Sequence, residues 1–432
     1  MIKIHSRILT RPAGGRTHPR SALFILLPLL LGMLALVPAA RAAGAGNPAV
    51  RQFIVFSDLH YVGDSHQPET YPKLGQDANR SLIQSAFTDA AARCPDPLFI
   101  LCLGDVAGHE NNRLASAADV ELQAAGLLAE HFPRRPVFPV PGNNDSQTDH
   151  GLQSPVFLGQ FADAWAPLIP DAARKEFRRT FGSNGWYAAD LPGLNRFRIL
   201  GLNSAGFDRY RGNDVTAGLR QLDWLEEQLG SPQNQGVKFL LLLHIPPGLN
   251  PYPLPGLGGP FWNPRLNNQF VSCVAAHTNV AAIFCGHSHM DEFRLIRSEN
   301  RPAGFIHLAP SVSPDHYNNP AYQIFDADTN TGGFLDYTTY YLNLAGHPGD
   351  PARAEWRPEY SFAKDYHLAG YNLQTLTELE NRLQAGGDNA SGSNYLQFYD
   401  VTGANPFATL MKYQPEERGR FFRGLDVQMI AP

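Results

Sequence analysis

The chain is poor in cysteine and carries no cluster of positive charge. Its four cysteines are Cys94, Cys102, Cys273 and Cys285, and their spacing is not that of a zinc site. Oxidation in an exporting host is open to them, but spacing alone does not give a pairing. Cys102 and Cys285 lie inside apolar runs, which suits small buried hydrophobes. Lys and Arg number 35 against 40 Asp and Glu, a formal charge of −5, and no long basic run occurs. That leaves no electrostatic footprint for a nucleic-acid backbone. No internal repeat appears, and no low-complexity linker divides residues 50–325, so a solenoid or a string of small modules is excluded. With 43% apolar and 17% charged residues, the body of the chain is globular rather than disordered.

The N-terminus differs in kind. Lys3, Arg7, Arg11, Arg16 and Arg20 precede an apolar run over residues 22–37, and Ala40-Arg41-Ala42 follows. A basic region, a short apolar core and a small-x-small site describe a secretory signal peptide over residues 1–42, cut after Ala42. A permanent anchor is the competing reading. The run is interrupted by Pro28 and Gly32 and is short for a span of about 20 residues. No adjacent arginine pair precedes it and no cysteine follows it, so neither a twin-arginine signal nor a lipid-modified cysteine is supported. The expectation is a secreted or periplasmic protein without a stable membrane anchor.

Short apolar runs at 53–56, 98–103, 137–140, 197–202, 239–243 and 281–285 have the continuous character of strands buried on both faces. Between them, residues 81–92, 115–130 and 217–229 carry helical periodicity. Alternating strands and helices predict an α/β layered core. Past about 350 the texture changes: aromatics over 356–371, a helical pattern over 373–383, a polar stretch over 386–393. This predicts a domain over residues 50–345 and a mainly helical C-terminal region, 346–432, packed on it. A separately folding C-terminal domain is the alternative.

The strand-like runs end in polar clusters. Residues 53–56 lead into Ser57-Asp58-Leu59-His60, 98–103 into Gly104-Asp105, and 137–140 into Pro141-Gly142-Asn143-Asn144-Asp145. The run ending at 243 leads into His244-Ile245-Pro246-Pro247-Gly248, and 281–285 into Gly286-His287-Ser288-His289. In α/β sheets, sites gather at the carboxyl ends of strands, so clusters far apart in sequence can converge. Each cluster alone is an ordinary turn or surface histidine. Together they assemble two Asp, one Asn and four His, a donor set for first-row metals with no soft thiolate.

At these residues the chain resembles the calcineurin-like metallophosphoesterases, and within them the acid sphingomyelinase-like phosphodiesterase branch. The resemblance spans roughly 52–400. It includes His109 four residues after Asp105, the His244-to-Gly248 string, and Gly286-His287-Ser288-His289-Met290-Asp291-Glu292-Phe293. Ala309-Pro310-Ser311-Val312, Asn319-Pro320 and the stretch 356–368 add to it. It implies a two-sheet β-sandwich flanked by helices, with the site at one edge. By resemblance, Asp58, His60, Asp105 and His289 hold one metal, and Asp105, Asn143, His244 and His287 hold a second, Asp105 bridging. Two divalent or trivalent ions are implied, zinc or else iron or manganese. The implied reaction is hydrolysis of a phosphodiester or related phosphate ester by a metal-bound hydroxide.

One departure bears on the substrate. The family usually has Asn-His where this chain has Asn143-Asn144, within a Gly-Asn-Asn-Asp string that resembles some polyphosphatase relatives of the branch, which also carry Asn-Asn here. An amide can donate a hydrogen bond to phosphate but delivers no proton at neutral pH. The resemblance offers His109 as the residue near the leaving group. Small-molecule or polymeric phosphate esters are therefore the expected substrates, with polyphosphate or monoester hydrolysis as alternatives. A metal- and phosphate-binding protein without turnover is a further one. Residues 249–265, rich in Pro, Gly and aromatics, form either a substrate-contacting rim or a structural loop.

Overall fold

The computed structural model describes residues 49–64, 70–109, 116–146, 152–209, 215–250, 259–385 and 390–430. The expected export segment, 1–42, lies outside them. Two sheets form the core. One has six strands in the order Trp356–Ser361, Phe334–Leu342, Ala321–Asp328, Val50–Phe56, Ile100–Cys102, Val137–Pro139. The other has seven: Asp426–Val427, Glu292–Ser298, Arg301–Leu308, Val280–Cys285, Lys238–Leu242, Phe197–Gly201, Tyr187–Asp190. The strands that precede the polar clusters pair in parallel. Val50–Phe56 runs parallel to Ile100–Cys102, and that strand parallel to Val137–Pro139. In the second sheet, Lys238–Leu242 and Val280–Cys285 are likewise parallel. Within each sheet, parallel pairing sends the carboxyl ends to the same edge.

The continuous apolar runs are explained by burial on both faces. Leu240 and Leu242 join the large inner core, whereas Phe239, Leu241 and Leu243 join a second cluster with Leu222, Leu225, Phe270 and Val271. Alternate side chains thus face the opposite sheet and the helices Val215–Gly230 and Pro264–Ala276. Between the sheets, Phe53 stacks on Phe99 and Phe325 and meets Phe284 of the opposite sheet edge-on. On the far face, Phe56 packs on Phe87 of the helix Arg80–Arg93. Burying each such ring contributes about 1.5–3 kcal/mol. The architecture is a mixed α/β sandwich of two sheets flanked by helices.

The C-terminal region is more interwoven than its composition suggests. Its helices include Leu373–Gln384, opened by a capping box of Asn372 and Thr375, and Ala390–Phe398, which begins inside the stretch read as a polar loop. Trp356–Ser361 extends the six-stranded sheet, and Asp426–Val427 extends the seven-stranded one. The described residues from 49 to 430 accordingly form one compact unit. A two-residue strand and an aromatic-rich edge strand carry too little alternation to be read as β structure beforehand. Among the described residues, no helix is long and apolar enough to cross a membrane. All four cysteines are free and buried, and burial raises the Cys94 thiol to about 11.

Candidate metal centre

Three of the five polar clusters turn sharply as they leave their strands. Asp58, His60, Asp105, His287 and His289 all have φ between 41° and 72°, the left-handed region that non-glycine residues seldom occupy. Such backbone costs of the order of 1–3 kcal/mol per residue and persists where the surroundings over-determine it. Here they do. Asp58 N donates to Gly104 O at 3.1 Å, His60 N to Asp105 O at 2.9 Å, and Gly286 N to His244 O at 3.1 Å. His244 Nδ1 lies 2.8 Å from Leu103 O, joining the two sheets beneath the site. Gly142 is required for space, because a Cβ there would overlap Asp105. Asp145 closes the frame by accepting from Ala107 N at 2.9 Å and Gly142 N at 2.7 Å.

These turns bring the seven side chains together in two groups. Asp58, His60 and His289 form one triad of ligand-type atoms, and Asp105, His244 and His287 the other. His60 Nε2 stands 3.1 Å from His289 Nε2, and Asp58 Oδ1 lies 3.3 Å from His289 Nε2. Asn143 Oδ1 sits 3.1 Å from His244 Nε2 and 2.8 Å from His287 Nδ1. Asp105 Oδ2 reaches both groups, 3.2 Å from His244 Nε2 and 3.6 Å from His60 Nε2. The two members of the His-x-His pair fall in different groups.

The donors fit metal ions on three counts. Two atoms bound to one ion at about 2.1 Å stand about 3–3.4 Å apart, which is the spacing of most of these contacts. The set is imidazole, carboxylate and amide oxygen, matched to zinc, iron or manganese. The electrostatics also call for positive charge. Burial works against an imidazolium at His244, yet Asp105 and Asp58 outweigh it and hold the ring up to about 9. Burial likewise opposes the Asp105 carboxylate, but His244 and His60 keep it well below the usual range. His60 goes the other way, lowered chiefly by burial.

The remaining two residues singled out in the sequence border this group. His109 stacks on His60, with ring centroids 4.6 Å apart. Its main-chain N and its Nδ1 contact the two oxygens of Asp77 at 2.7 and 2.9 Å, and this carboxylate raises the ring to about 9. Asn144 donates from its main-chain N and its Nδ2 to the two oxygens of Asp105, both at 2.8 Å. It braces Asp105 rather than pointing its amide nitrogen outward, and its buried Oδ1 has no hydrogen-bond partner among the described residues.

Sequence reading missed Asp77, Asp315 and His316. Asp315 Oδ1 lies 2.8 Å from His289 Nδ1, and His316 packs on the His289 ring at 3.9 Å. A signal existed for two of them, since Asp315-His316 follow the strand Arg301–Leu308 as the other clusters follow theirs. Asp77 sits in a loop with no such marker. Of the rim 249–265, residues 251–258 lie outside the described part. Leu249–Asn250 pairs with Gly259–Pro260, and Phe261 meets the His287 ring edge-on at 5.3 Å.

A two-sheet sandwich with buried His, Asp and Asn donors at its strand ends is the architecture of dimetal phosphoesterases. The calcineurin-like phosphoesterase model matches residues 51–291, and the chain belongs to that family, a class of metal-dependent phosphoric ester hydrolases. It is similar to the acid sphingomyelinase-like phosphodiesterase 3b of Mus musculus, 27% identical over 86% of each chain. It is also similar to the cyclic GMP-AMP phosphodiesterase SMPDL3A of Rattus norvegicus, 26% identical over 84% of this chain and 86% of that one. Among solved structures, a dimetal phosphatase from Danio rerio is 14% identical with a TM-score of 0.42, covering 68% of this chain and 96% of its own. Within the family, the chain stands with the acid sphingomyelinase-like phosphodiesterases.

Proposed function

We propose that this protein is a secreted, dinuclear-metal-dependent phosphodiesterase. Asp58, His60, Asp105 and His289 would hold one ion, and Asp105, Asn143, His244 and His287 the other. The observation that carries this reading is the position of Asp105 Oδ2 within 3.6 Å of both histidine groups. When bound, such a pair of ions lowers the pKa of a water and clamps phosphate oxygens during in-line displacement. The chain's own residues do the rest. Asn144 fixes the Asp105 carboxylate through two hydrogen bonds, so its oxygens need no reorganisation as charge develops. Asp77 orients His109 through Nδ1, which leaves Nε2 to pass a proton to the departing oxygen.

A phosphodiester substrate is supported by the two relatives, both named phosphodiesterases. The Asn144 position favours a second reading, a polyphosphatase or phosphomonoesterase using the same site. Turnover of bis-p-nitrophenyl phosphate, with and without chelator, tests hydrolysis; a panel of diesters, monoesters and polyphosphate then separates the readings. Metal-loaded protein that turns over none of them contradicts the enzyme. Export rests on the N-terminal pattern, with mature protein beginning near Ala43 outside the cytoplasm. N-terminal sequencing from the native host is sufficient, and an intact Met1 on membrane-bound material contradicts it.

A further inference from the structure

Next to the seven-residue set lies a group of ligand-type side chains that the proposed reaction does not use as ligands. Asp77, His109, Asp315 and a ring nitrogen of His60 lie within 4.8 Å of one another, and His316 joins Asp315 in an overlapping group. From atom to atom, Asp77 Oδ1 is 2.9 Å from His109 Nδ1, which is 3.8 Å from Asp315 Oδ2, which is 3.2 Å from His316 Nδ1. Donors sharing one ion at about 2.1 Å stand about 3–3.4 Å apart. Asp77, His109 and Asp315 offer atoms close enough to share an ion after small adjustments, and His316, beside Asp315, lines the same cleft. Two carboxylates and two imidazoles suit a first-row divalent cation.

The surroundings differ from those of the buried pair. The His109 and His316 side chains are 45% and 46% exposed, whereas those of Asp77 and Asp315 are 7% and 9% exposed. They line a cleft of about 790 Å³ that also includes Tyr71 and Lys73. A divalent cation that keeps water ligands on its open side would compensate these two nearly buried carboxylates. Beside them, His60 has a buried Nδ1 with no hydrogen-bond partner among the described residues. Without an ion, Asp77 hydrogen-bonds His109, and Asp315 stands within ion-pair range of His289 and His316.

We propose that Asp77, His109, Asp315 and His316 form a third divalent-cation site, exchangeable and filled after the pair. The proposal rests on the two-ion reading above. Asp315 couples the sites, since its Oδ1 holds His289 Nδ1 while its Oδ2 faces the third position. Occupancy puts the ion on His109 Nδ1 in place of the proton shared with Asp77, so the ring no longer forms the imidazolium that delivers a proton from Nε2, and excess cation slows turnover.

The test is a zinc titration of the full mature protein already carrying its tightly bound ions, read by calorimetry and by metal counting after equilibrium dialysis. A third, weaker equivalent is expected. His316→Ala and Asp77→Asn should each weaken it at least about tenfold while the first two equivalents remain. Inhibition by excess zinc, measured as a fraction of each protein's own rate before zinc is added, should be reduced in His316→Ala. Saturation at two equivalents, or a third equivalent unchanged in both variants, overturns the third site and leaves the pair standing. Saturation at one equivalent overturns the pair and the third site with it.

Discussion

His60 and His289 meet ring nitrogen to ring nitrogen, 3.1 Å apart, across 229 residues of sequence. Two neutral imidazoles satisfy that contact only if one donates and the other accepts. Asp58 Oδ1, 3.3 Å from the His289 nitrogen, adds a negative charge to the same point. A cation there satisfies both lone pairs and the carboxylate together. The strained backbone at Asp58, His60 and His289 is then the cost of aiming three donors at one centre.

Metal binding should expel protons. In the ion-free site His244 is held up to about 9, and His289 is raised as well, by Asp315 and Asp58 against burial. At pH 7 a ring titrating near 9 is protonated, and a ligand must be neutral, so its proton has to leave. His60, lowered by burial, contributes none. Calorimetry in two buffers of different ionisation heat should show release of at least one proton per chain, and affinity that rises with pH up to about 9. Binding at pH 7 without proton release would contradict the raised imidazoles.

The His-x-His pair should divide between the ions. His287 approaches Asn143 and the His244 group, and His289 approaches Asp58 and His60. His287→Ala and His289→Ala should each weaken a different ion by at least about tenfold, resolved by stepwise metal titration or by the spectra of a cobalt-substituted protein. Loss of the same ion in both variants would show that the pair chelates one centre.

His109 should matter in proportion to how poor the leaving group is. General acid help is worth about 10²–10⁴-fold for an alkoxide and little for p-nitrophenolate, which needs no proton. His109→Ala should therefore depress hydrolysis of an alkyl phosphodiester far more than that of a p-nitrophenyl ester, with metal content unchanged. Restoring the family's histidine through Asn144→His should partly rescue it. Equal losses on both substrates, with both ions bound, would remove His109 from proton delivery.

Much of this candidate site is legible in the sequence, because its donors follow strands whose apolar runs are continuous. A run such as 281–285 is recognisable, and so is the Gly286-His287-Ser288-His289 turn it feeds. What could not be read lies where neither periodicity nor position marks a residue. Asp77 sits in a loop, and only the fold sets it under His109. Asp291 carries no special pattern, yet it accepts from Gln323, Thr339 and Tyr337 and is raised by burial to about 7. The edge strand Trp356–Ser361 was obscured because aromatics serve helices and strands alike.

Asp105 Oδ2 lies within 3.6 Å of a histidine in each group, which makes this carboxylate the bridge of the dinuclear reading. Asp105→Asn keeps the shape and removes the charge, and an amide is a much weaker bridge between two cations. The most direct measurement is metal content per chain of wild type and Asp105→Asn, purified side by side and assayed on the same diester. Two ions in the wild type, with both metal and turnover lost together in the variant, is the predicted result. A variant that keeps two ions, or a wild type that hydrolyses the diester with none, would contradict the dinuclear assignment.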